Sequence, residues 1–222
     1  MNKTLNSLQA GDVFLIPNKT FYLMGGIKVV NIKSVVLKLE GTLLYSNDTR
    51  SWPRDYKRRP LHCMQFNDIS NVTFTSSGIG TLDGNGRKWW GIPGLGYLRY
   101  GKKRPHLLKI KHANSLLFEN FLFKDSPRWN LVIFDVDGLE IRHTDITAKR
   151  RSNAIGHDLV ELTAFNTDGF DVSGTFLFYT SDFLANQRNQ TRLPLNTNST
   201  FSPKKVRMFG YMTVMFGTRM IV

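Results

Sequence analysis

The hydrophobic residues between Val13 and about Val172 come in short bursts of strand length, separated by Gly, Asn, Asp and Pro. No long stretch shows the periodicity of an amphipathic helix. Four bursts share one frame, in which a polar or small pair leads into an apolar residue, any residue and a second apolar residue. The frames begin their apolar part at Val35, Val72, Leu116 and Leu139, which gives intervals of 37, 44 and 23 residues. The interval of 44 is close to two units of about 22, and a repeat of that length is typical of stacked solenoids.

A parallel β-helix, in which short strands of successive coils stack on one another, fits this pattern better than a leucine-rich repeat. The sequence has no recurring Leu-x-x-Leu-x-Leu frame, its strand residues are Val, Ile, Phe and Thr, and its turns are rich in Asn and Gly. We therefore predict an all-β chain folded as a parallel β-helix. An antiparallel β-sandwich, which also has strands at spacings of roughly 8 to 12 residues, stays open as the alternative.

The composition narrows the classes of partner. The chain has 222 residues, and its 30 Lys and Arg against 17 Asp and Glu give a formal charge of +13 at pH 7. This charge favours a polyanionic partner, whether nucleic acid, an anionic lipid surface or an acidic polysaccharide. No apolar run approaches the length of a membrane helix, and the single Cys excludes a disulfide framework and a four-ligand zinc site. Residues 1–11 lack the features of a secretory signal peptide, so we expect a cytosolic chain or one without its true start.

Three basic clusters recur at intervals of about 45 residues, at 54–59, 102–104 and 149–151. If every second coil carries one, they would line one side of the solenoid as a track for a polyanion. Solvated loops are an equally good interpretation. The five histidines show no metal-ligand spacing and no nucleophile partner, so we expect structural or surface roles for them.

Clustered acids are noticeable in such a basic chain. The segment from Asn166 to Asp171 reads Asn-Thr-Asp-Gly-Phe-Asp and places Asp168 and Asp171 three residues apart. In a strand, residues at an odd separation face opposite sides, so both acids line one surface only if a turn or bulge intervenes. One of them is then a candidate site residue and the other a turn acid, with two structural turn acids as the alternative.

Two other segments have a structural and a functional interpretation. The glycine-rich residues 78–86 lack the Lys-Ser/Thr ending of a nucleotide loop and no helical pattern follows, which favours a tight β-turn. Trp89 and Trp90 follow this turn. We expect them to cover an edge of the core, with stacking on a sugar ring as the alternative.

Several segments together resemble glycoside hydrolase family 28, the polygalacturonases and their relatives, in the family's order over residues 10–174. The matching pieces are Leu39-Glu40-Gly41-Thr42-Leu43, Gly80-Thr81-Leu82-Asp83-Gly84, Arg104-Pro105-His106-Leu107-Leu108, Asp125-Ser126-Pro127-Arg128-Trp129 and Asn166-Thr167-Asp168-Gly169. The resemblance implies a right-handed, single-stranded parallel β-helix, of which residues 1–174 are the N-terminal part. It also implies inverting hydrolysis of 1,4-linked galacturonan in pectin, an extracellular or cell-wall location and a monomer. We expect no cofactor, no metal, no nucleic-acid partner and no membrane association.

The resemblance also implies roles for individual residues. Asp168 matches the first catalytic aspartate, one of the carboxylates that activate water, and Asn166 and Asp171 would bind substrate. The family's later Asp-Asp, Gly-His-Gly and Arg-x-Lys segments do not occur in these 222 residues. We therefore expect a truncated, inactive chain. A non-catalytic β-helix that binds a polyanion or polysaccharide is the alternative, and a calcium-dependent lyase is a weaker third.

Residues 175–222 depart from the family pattern and hold six Lys or Arg against one acid. Read one base earlier, the codons of residues 208–221 are compatible with Val-Trp-Ile-His-Asp-Cys-Asn-Val-Trp-Asn-Gln-Asp-Asp-Cys, which resembles what the family places after Gly174. We hypothesise that residues 175 to about 205 translate a retained intron, that the next exon is read out of frame, and that the tail is poorly ordered. Fortuitous agreement is the alternative.

Overall fold

The computed structural model describes residues 1–90, 104–148, 170–179 and 205–214. Apart from the short helix α1 (Asn2–Asn6) and a 3-10 helix (Gly86–Lys88), the elements in these ranges are strands. The strands are β1 (Val13–Ile16), β2 (Thr20–Leu23), β3 (Ile27–Val30), β4 (Lys33–Leu39), β5 (Thr42–Tyr45), β6 (Met64–Thr75), β7 (Gly80–Asp83), β8 (Leu108–Glu119), β9 (Phe121–Lys124), β10 (Leu131–Arg142), β11 (Asp145–Thr147), β12 (Phe170–Tyr179) and β13 (Lys205–Val214).

The strands form two sheets between which the chain alternates. Sheet A has the order β1-β4-β6-β8-β10-β12-β13, with β3 also beside β6, and sheet B has the order β11-β9-β7-β5-β2. All neighbours from β1 to β12 are parallel. A chain that adds one parallel strand to each of two sheets in every turn is a parallel β-helix, so that prediction is confirmed and the antiparallel sandwich is excluded.

The last pairing in sheet A differs from the others. Strand β13 pairs antiparallel with β12, from Phe170 opposite Val214 to Tyr179 opposite Lys205. Residue 174, where the sequence suggests a change, lies inside β12. The sheet therefore ends, in the part of the chain that the structure describes, on a strand that runs against the direction of the coils.

The four sequence frames lie in register. Val35 pairs with Val72, Val72 with Leu116, and Leu116 with Leu139. The interval of 44 residues is thus one coil, and its interpretation as two units was wrong. Most of its extra length lies in the connection between β7 and β8, which has 24 residues where the next coil has 6 between β9 and β10.

The polar pair that opens each frame is explained by the backbone. Sheet A bends where two residues, three positions apart, have positive φ, as at Asp68 and Asn71 and again at His112 and Ser115. Non-glycine residues adopt this left-handed conformation rarely, and Asn and Asp do so several-fold more readily than most. Polar residues at these bends therefore let each strand turn and continue into the next part of the coil.

Inward side chains stack into continuous rows. Val29, Phe66, Ile110, Ile133 and Val172 follow one another in register across β3, β6, β8, β10 and β12. Each of them is 0% exposed. Because burial of apolar area contributes roughly 25 cal/mol per Å², such rows supply most of the stability of the coils and hold the outer face of sheet A in place.

Helix α1 covers a free strand edge. The backbone N–H of Lys28 donates to Oδ1 of Asn2 (3.0 Å), and that of Val30 donates to Oδ1 of Asn6 (2.9 Å). Nδ2 of Asn6 donates to the carbonyl of Lys28 (2.8 Å). The two asparagines thus replace the neighbouring strand that β3 would otherwise need.

Candidate functional site

Three residues occupy equivalent places in successive coils, in the segments that lead from sheet B into sheet A. The parallel ladder continues ahead of the strands, since the N–H of Cys63 donates to the carbonyl of His106 (2.9 Å) and the N–H of Leu107 donates to the carbonyl of Trp129 (3.1 Å). His62, His106 and Trp129 therefore lie one above another in successive coils. We call these three residues the aromatic row.

The rings of the aromatic row are in contact. The centroids of His62 and His106 are 4.8 Å apart, and those of His106 and Trp129 are 5.1 Å apart. The guanidinium of Arg128 lies 4.3 Å from the ring centroid of Trp129, in a cation–π arrangement. The row thus ends on a positive charge at the coil nearest to β12.

The sequence contains a signal for this row. The interval from His62 to His106 is 44 residues and that from His106 to Trp129 is 23, the same as the intervals from Val72 to Leu116 and on to Leu139. Positions that share the intervals of the frames share a place in the coil. Metal-ligand spacing does not reveal this relationship, because the three positions are one coil apart rather than within one turn.

Lysines lie beside the aromatic row on the outer face of sheet A. Lys109 and Lys111 alternate with the buried Leu108 and Ile110, so their side chains point away from the core. Nζ of Lys109 is 3.4 Å from Nε2 of His62. Sequence reasoning missed these lysines because it looked for runs of charge rather than for the alternating polar positions of a strand.

Burial and positive charge both act on the groups of this surface. Burial first, and then the charges of Lys109, Arg128, Lys111 and Arg59, together lower the pKa of His62 to about 3. Burial lowers the pKa of His106 to about 2. The pKa of Lys109 is also lowered, first by burial and then by the cations Lys111, Arg128 and Arg59. Both histidines are therefore neutral at physiological pH beside a group of cations.

We call the surface formed by the aromatic row together with Lys109, Lys111 and Arg128 the basic face. A cluster of cations in partly buried surroundings attracts anions strongly, because the low local dielectric weakens the screening of charge. The arrangement can bind carboxylate or other acidic groups. It contains no pair of carboxylates among the described residues that could carry out acid–base chemistry.

Asp171 is the one predicted site residue that the structure describes. It pairs with Val132, which pairs with Lys109 in the next coil, so Asp171 belongs to the same outward position of sheet A. Two strand spacings, about 10 Å, separate the backbones of Asp171 and Lys109. Asp168 and Asn166 lie outside the described residues.

The tryptophans that follow the glycine-rich segment belong to the core. Trp89 is 0% and Trp90 4% exposed, and Nε1 of Trp90 donates to the carbonyl of Ser126 (2.9 Å). This supports the interpretation that they cover a core edge. A Cβ on Gly86 would come within 2.6 Å of the Asp125 carbonyl, so close backbone packing explains that glycine.

Arg59 and Arg104, from two of the basic clusters of the sequence, act on the basic face through their charge. Besides burial, which is the larger cause, Arg59 lowers the pKa of His62 and Arg104 lowers the pKa of His106. Residues 54–59 form an exposed turn in which Nε of Arg59 pairs with Oδ2 of Asp55 (2.8 Å), and Arg104 is buried at 3% exposure. Residues 102–103 and 149–151 lie outside the described ranges. Among the described residues, no group of three or more His, Cys, Asp or Glu side chains could hold a metal ion, and no helix is long and apolar enough to span a membrane.

Comparison with protein families decides to which group the chain belongs. The model described as Glycosyl hydrolases family 28 matches residues 9–182, well over half of the chain. The chain belongs to this family. The match contains the aromatic row, the basic face and Asp168, and it extends eight residues beyond position 174.

Individual relatives of this family 28 chain are distant. It is 25% identical over 215 residues to a polygalacturonase from Persea americana, an alignment that covers 89% of this chain and 41% of the relative. It is 24% identical to an exopolygalacturonase from Cochliobolus carbonum (72% of this chain, 34% of the relative). It is 27% identical to endopolygalacturonase A from Aspergillus niger (73% of this chain, 40% of the relative).

A solved structure is also similar. The hyperthermoactive exopolygalacturonase from Thermotoga maritima aligns with a TM-score of 0.49 and 18% sequence identity, over 64% of this chain and 41% of that one. The chain thus spans about two fifths, or less, of the length of these relatives.

Proposed function

We propose that this family 28 chain is the pectin-binding part of a polygalacturonase-type hydrolase that acts on 1,4-linked galacturonan. The similar proteins are named polygalacturonases of both endo and exo type, and galacturonan carries a carboxylate on each sugar. The basic face is the observation that carries the proposal. The cations Lys109, Lys111 and Arg128 lie near the neutral His62 on the outer face of sheet A. Their positive charge complements the carboxylates of a polyuronate.

The proposal assigns the chemistry to Asp168. Asp168 precedes Phe170 by two residues as Trp129 precedes Leu131, and Leu131 pairs with Phe170. Asp168 thus has the same sequence offset from β12 as Trp129 has from β10. In the proposed reaction its carboxylate removes a proton from the water that attacks the anomeric carbon, with Asn166 and Asp171 as substrate contacts.

Inverting hydrolysis needs a second, protonated carboxylic acid roughly 6.5 to 9.5 Å away to donate a proton to the leaving oxygen. The family's Asp-Asp, Gly-His-Gly and Arg-x-Lys segments are absent from these 222 residues. We therefore propose that the 222-residue chain by itself binds galacturonan without hydrolysing it, as a non-catalytic polysaccharide-binding β-helix. We also propose that it acts as a monomer, outside the cell or in the cell wall, where pectin is found.

The hypothesis for residues 175–222 has its own test. If they translate a retained intron followed by an exon read out of frame, a spliced transcript joins the codon of Gly174 to the shifted reading of residues 208–221. Sequencing the transcript across the codons for Gly174 and Val206 checks this. A single uninterrupted transcript from an intact gene contradicts the hypothesis.

The proposed function is tested with the whole chain. Binding is measured by calorimetry with oligogalacturonate, with a neutral galactan oligomer and with single-stranded DNA, each at two salt concentrations. We expect binding to oligogalacturonate to exceed binding to the other two and to weaken with salt. Preferential DNA binding contradicts the proposed partner. A reducing-sugar assay on polygalacturonic acid is expected to show no release, and release contradicts the proposed lack of hydrolysis.

A further inference from the structure

The proton of the His62 ring can be assigned from its hydrogen bonds. The backbone N–H of His106 donates to Nδ1 of His62 (3.2 Å), so Nδ1 carries a lone pair. The ring is neutral, because burial and the neighbouring cations oppose its protonation. Its one proton is therefore on Nε2.

Nε2 of His62 consequently faces a second donor. It lies 3.4 Å from Nζ of Lys109, and an ammonium group only donates. Two donors at this distance cannot satisfy each other, and a common acceptor would satisfy both. The charged groups that act on this pair are Lys111, Arg128 and Arg59, which are all cations. An anionic oxygen at this point would satisfy both donors and offset the surrounding positive charge.

An exposed aromatic ring adjoins the same lysine. Phe134 is 38% exposed on the outer face of β10, and Nζ of Lys109 lies 5.4 Å from its ring centroid. Phe134 is also the register partner of Lys111. An exposed ring at the centre of a sheet, bordered by lysines, offers an apolar surface next to a carboxylate-binding group. A sugar acid has both features, since its ring has an apolar face and its carboxylate projects from the edge.

We propose that His62, Lys109 and Phe134 form a subsite for one hexuronate residue of a polyuronate. Its carboxylate accepts from Nε2 of His62 and Nζ of Lys109, and the apolar face of its sugar ring packs on Phe134. The proposal rests on the proposed function and specifies where on the basic face a substrate carboxylate binds. Two strand spacings, about 10 Å, separate the backbone of Lys109 from that of Asp171, the proposed substrate contact on β12.

The test uses the 222-residue chain and two ligands, oligogalacturonate and its fully methyl-esterified form, which lacks the charge. Lys109→Met keeps most of the aliphatic stem and removes the donor. We expect it to weaken oligogalacturonate binding about tenfold or more, as for loss of a charge-assisted contact, and to change binding of the methyl ester little. Lys109→Arg, which keeps the charge and the donor, is expected to recover most of the affinity.

Lys33→Met is the matched control, because it removes the same charge from an exposed position on β4 of the same sheet. It is expected to leave the affinity within about twofold of the wild type. Equal binding of oligogalacturonate by Lys109→Met and wild type, with both chains folded by circular dichroism, overturns the subsite while the proposed function stands. Equal losses in Lys109→Met and Lys33→Met also overturn it, since only net charge would then matter. If the wild-type chain does not bind oligogalacturonate, the proposed function fails, and the subsite fails with it.

Discussion

Phe118 of β8 stacks on Phe74 of β6, with ring centroids 4.3 Å apart and ring planes 8° apart. The two residues are register partners in neighbouring coils, and both are buried. This contact shows how the solenoid is held together, since each coil buries its inward side chains against equivalent side chains of the coils above and below.

Phe118→Ala is therefore expected to destabilise the chain by about 3 to 5 kcal/mol, through lost apolar burial and the cavity left between coils. Urea denaturation followed by circular dichroism measures the change. Tyr22→Ala is the control, because Tyr22 is 81% exposed and its removal opens no cavity. A loss below about 1 kcal/mol for Phe118→Ala would mean that the coils do not depend on this row.

Asn6→Ala is expected to uncover the edge of β3. It removes the acceptor for the N–H of Val30 and the donor to the carbonyl of Lys28, at a cost of about 1 to 2 kcal/mol. Hydrogen exchange of the Val30 amide should become faster, because that group loses its side-chain partner. Thr4→Ala, at an exposed position of the same helix, serves as the control. Unchanged exchange at Val30 in Asn6→Ala would show that α1 does not protect this edge.

The buried histidines predict a loss of stability in mild acid. The folded-state pKa values are lowered to about 3 for His62 and about 2 for His106, against 6.5 for an ordinary histidine. Below pH 6.5 the unfolded chain binds protons that the folded chain excludes, so stability is kept above this pH and falls as the pH decreases toward the folded values. Each histidine contributes a slope of at most about 1.4 kcal/mol per pH unit in that window.

Urea denaturation at several pH values between 7 and 5 measures this slope. His106→Gln removes one of the two titrating groups. We expect it to reduce the slope of unfolding free energy against pH by up to about 1.4 kcal/mol per pH unit, the contribution of one proton. Thr4→Ala, at an exposed position without a titratable side chain, should leave the slope as in the wild type. A wild-type chain whose stability does not change between these pH values would contradict the burial of neutral histidines.

The sequence predicts the coils well where side chains repeat and poorly where they do not. Val35, Val72, Leu116 and Leu139 are in register as their shared frame implies, because each frame needs a left-handed bend and then inward apolar residues. The sequence did not show that one coil, rather than two, separates Val72 from Leu116. Strands β6 and β8 are direct neighbours although 24 residues separate the end of β7 from the start of β8, and the shared frames do not mark this connection.

The candidate site could be predicted only in part, for a related reason. The intervals that align Val72 with Leu116 also align His62 with His106, so the aromatic row follows from the repeat once the register is known. The contact between His62 and Lys109 does not follow from it. That contact depends on how a lysine side chain of one coil lies across the end of the neighbouring strand, which a linear pattern does not specify.

The central claim is that the basic face is the surface that binds polyuronate. Hydrogen exchange measured by mass spectrometry, on the chain with and without oligogalacturonate, tests it most directly. The account predicts slower exchange in peptides that cover residues 105–111 and 128–134, with no change in sheet B at residues 121–124. Protection confined to sheet B, or no protection of the basic face at saturating ligand, would contradict it.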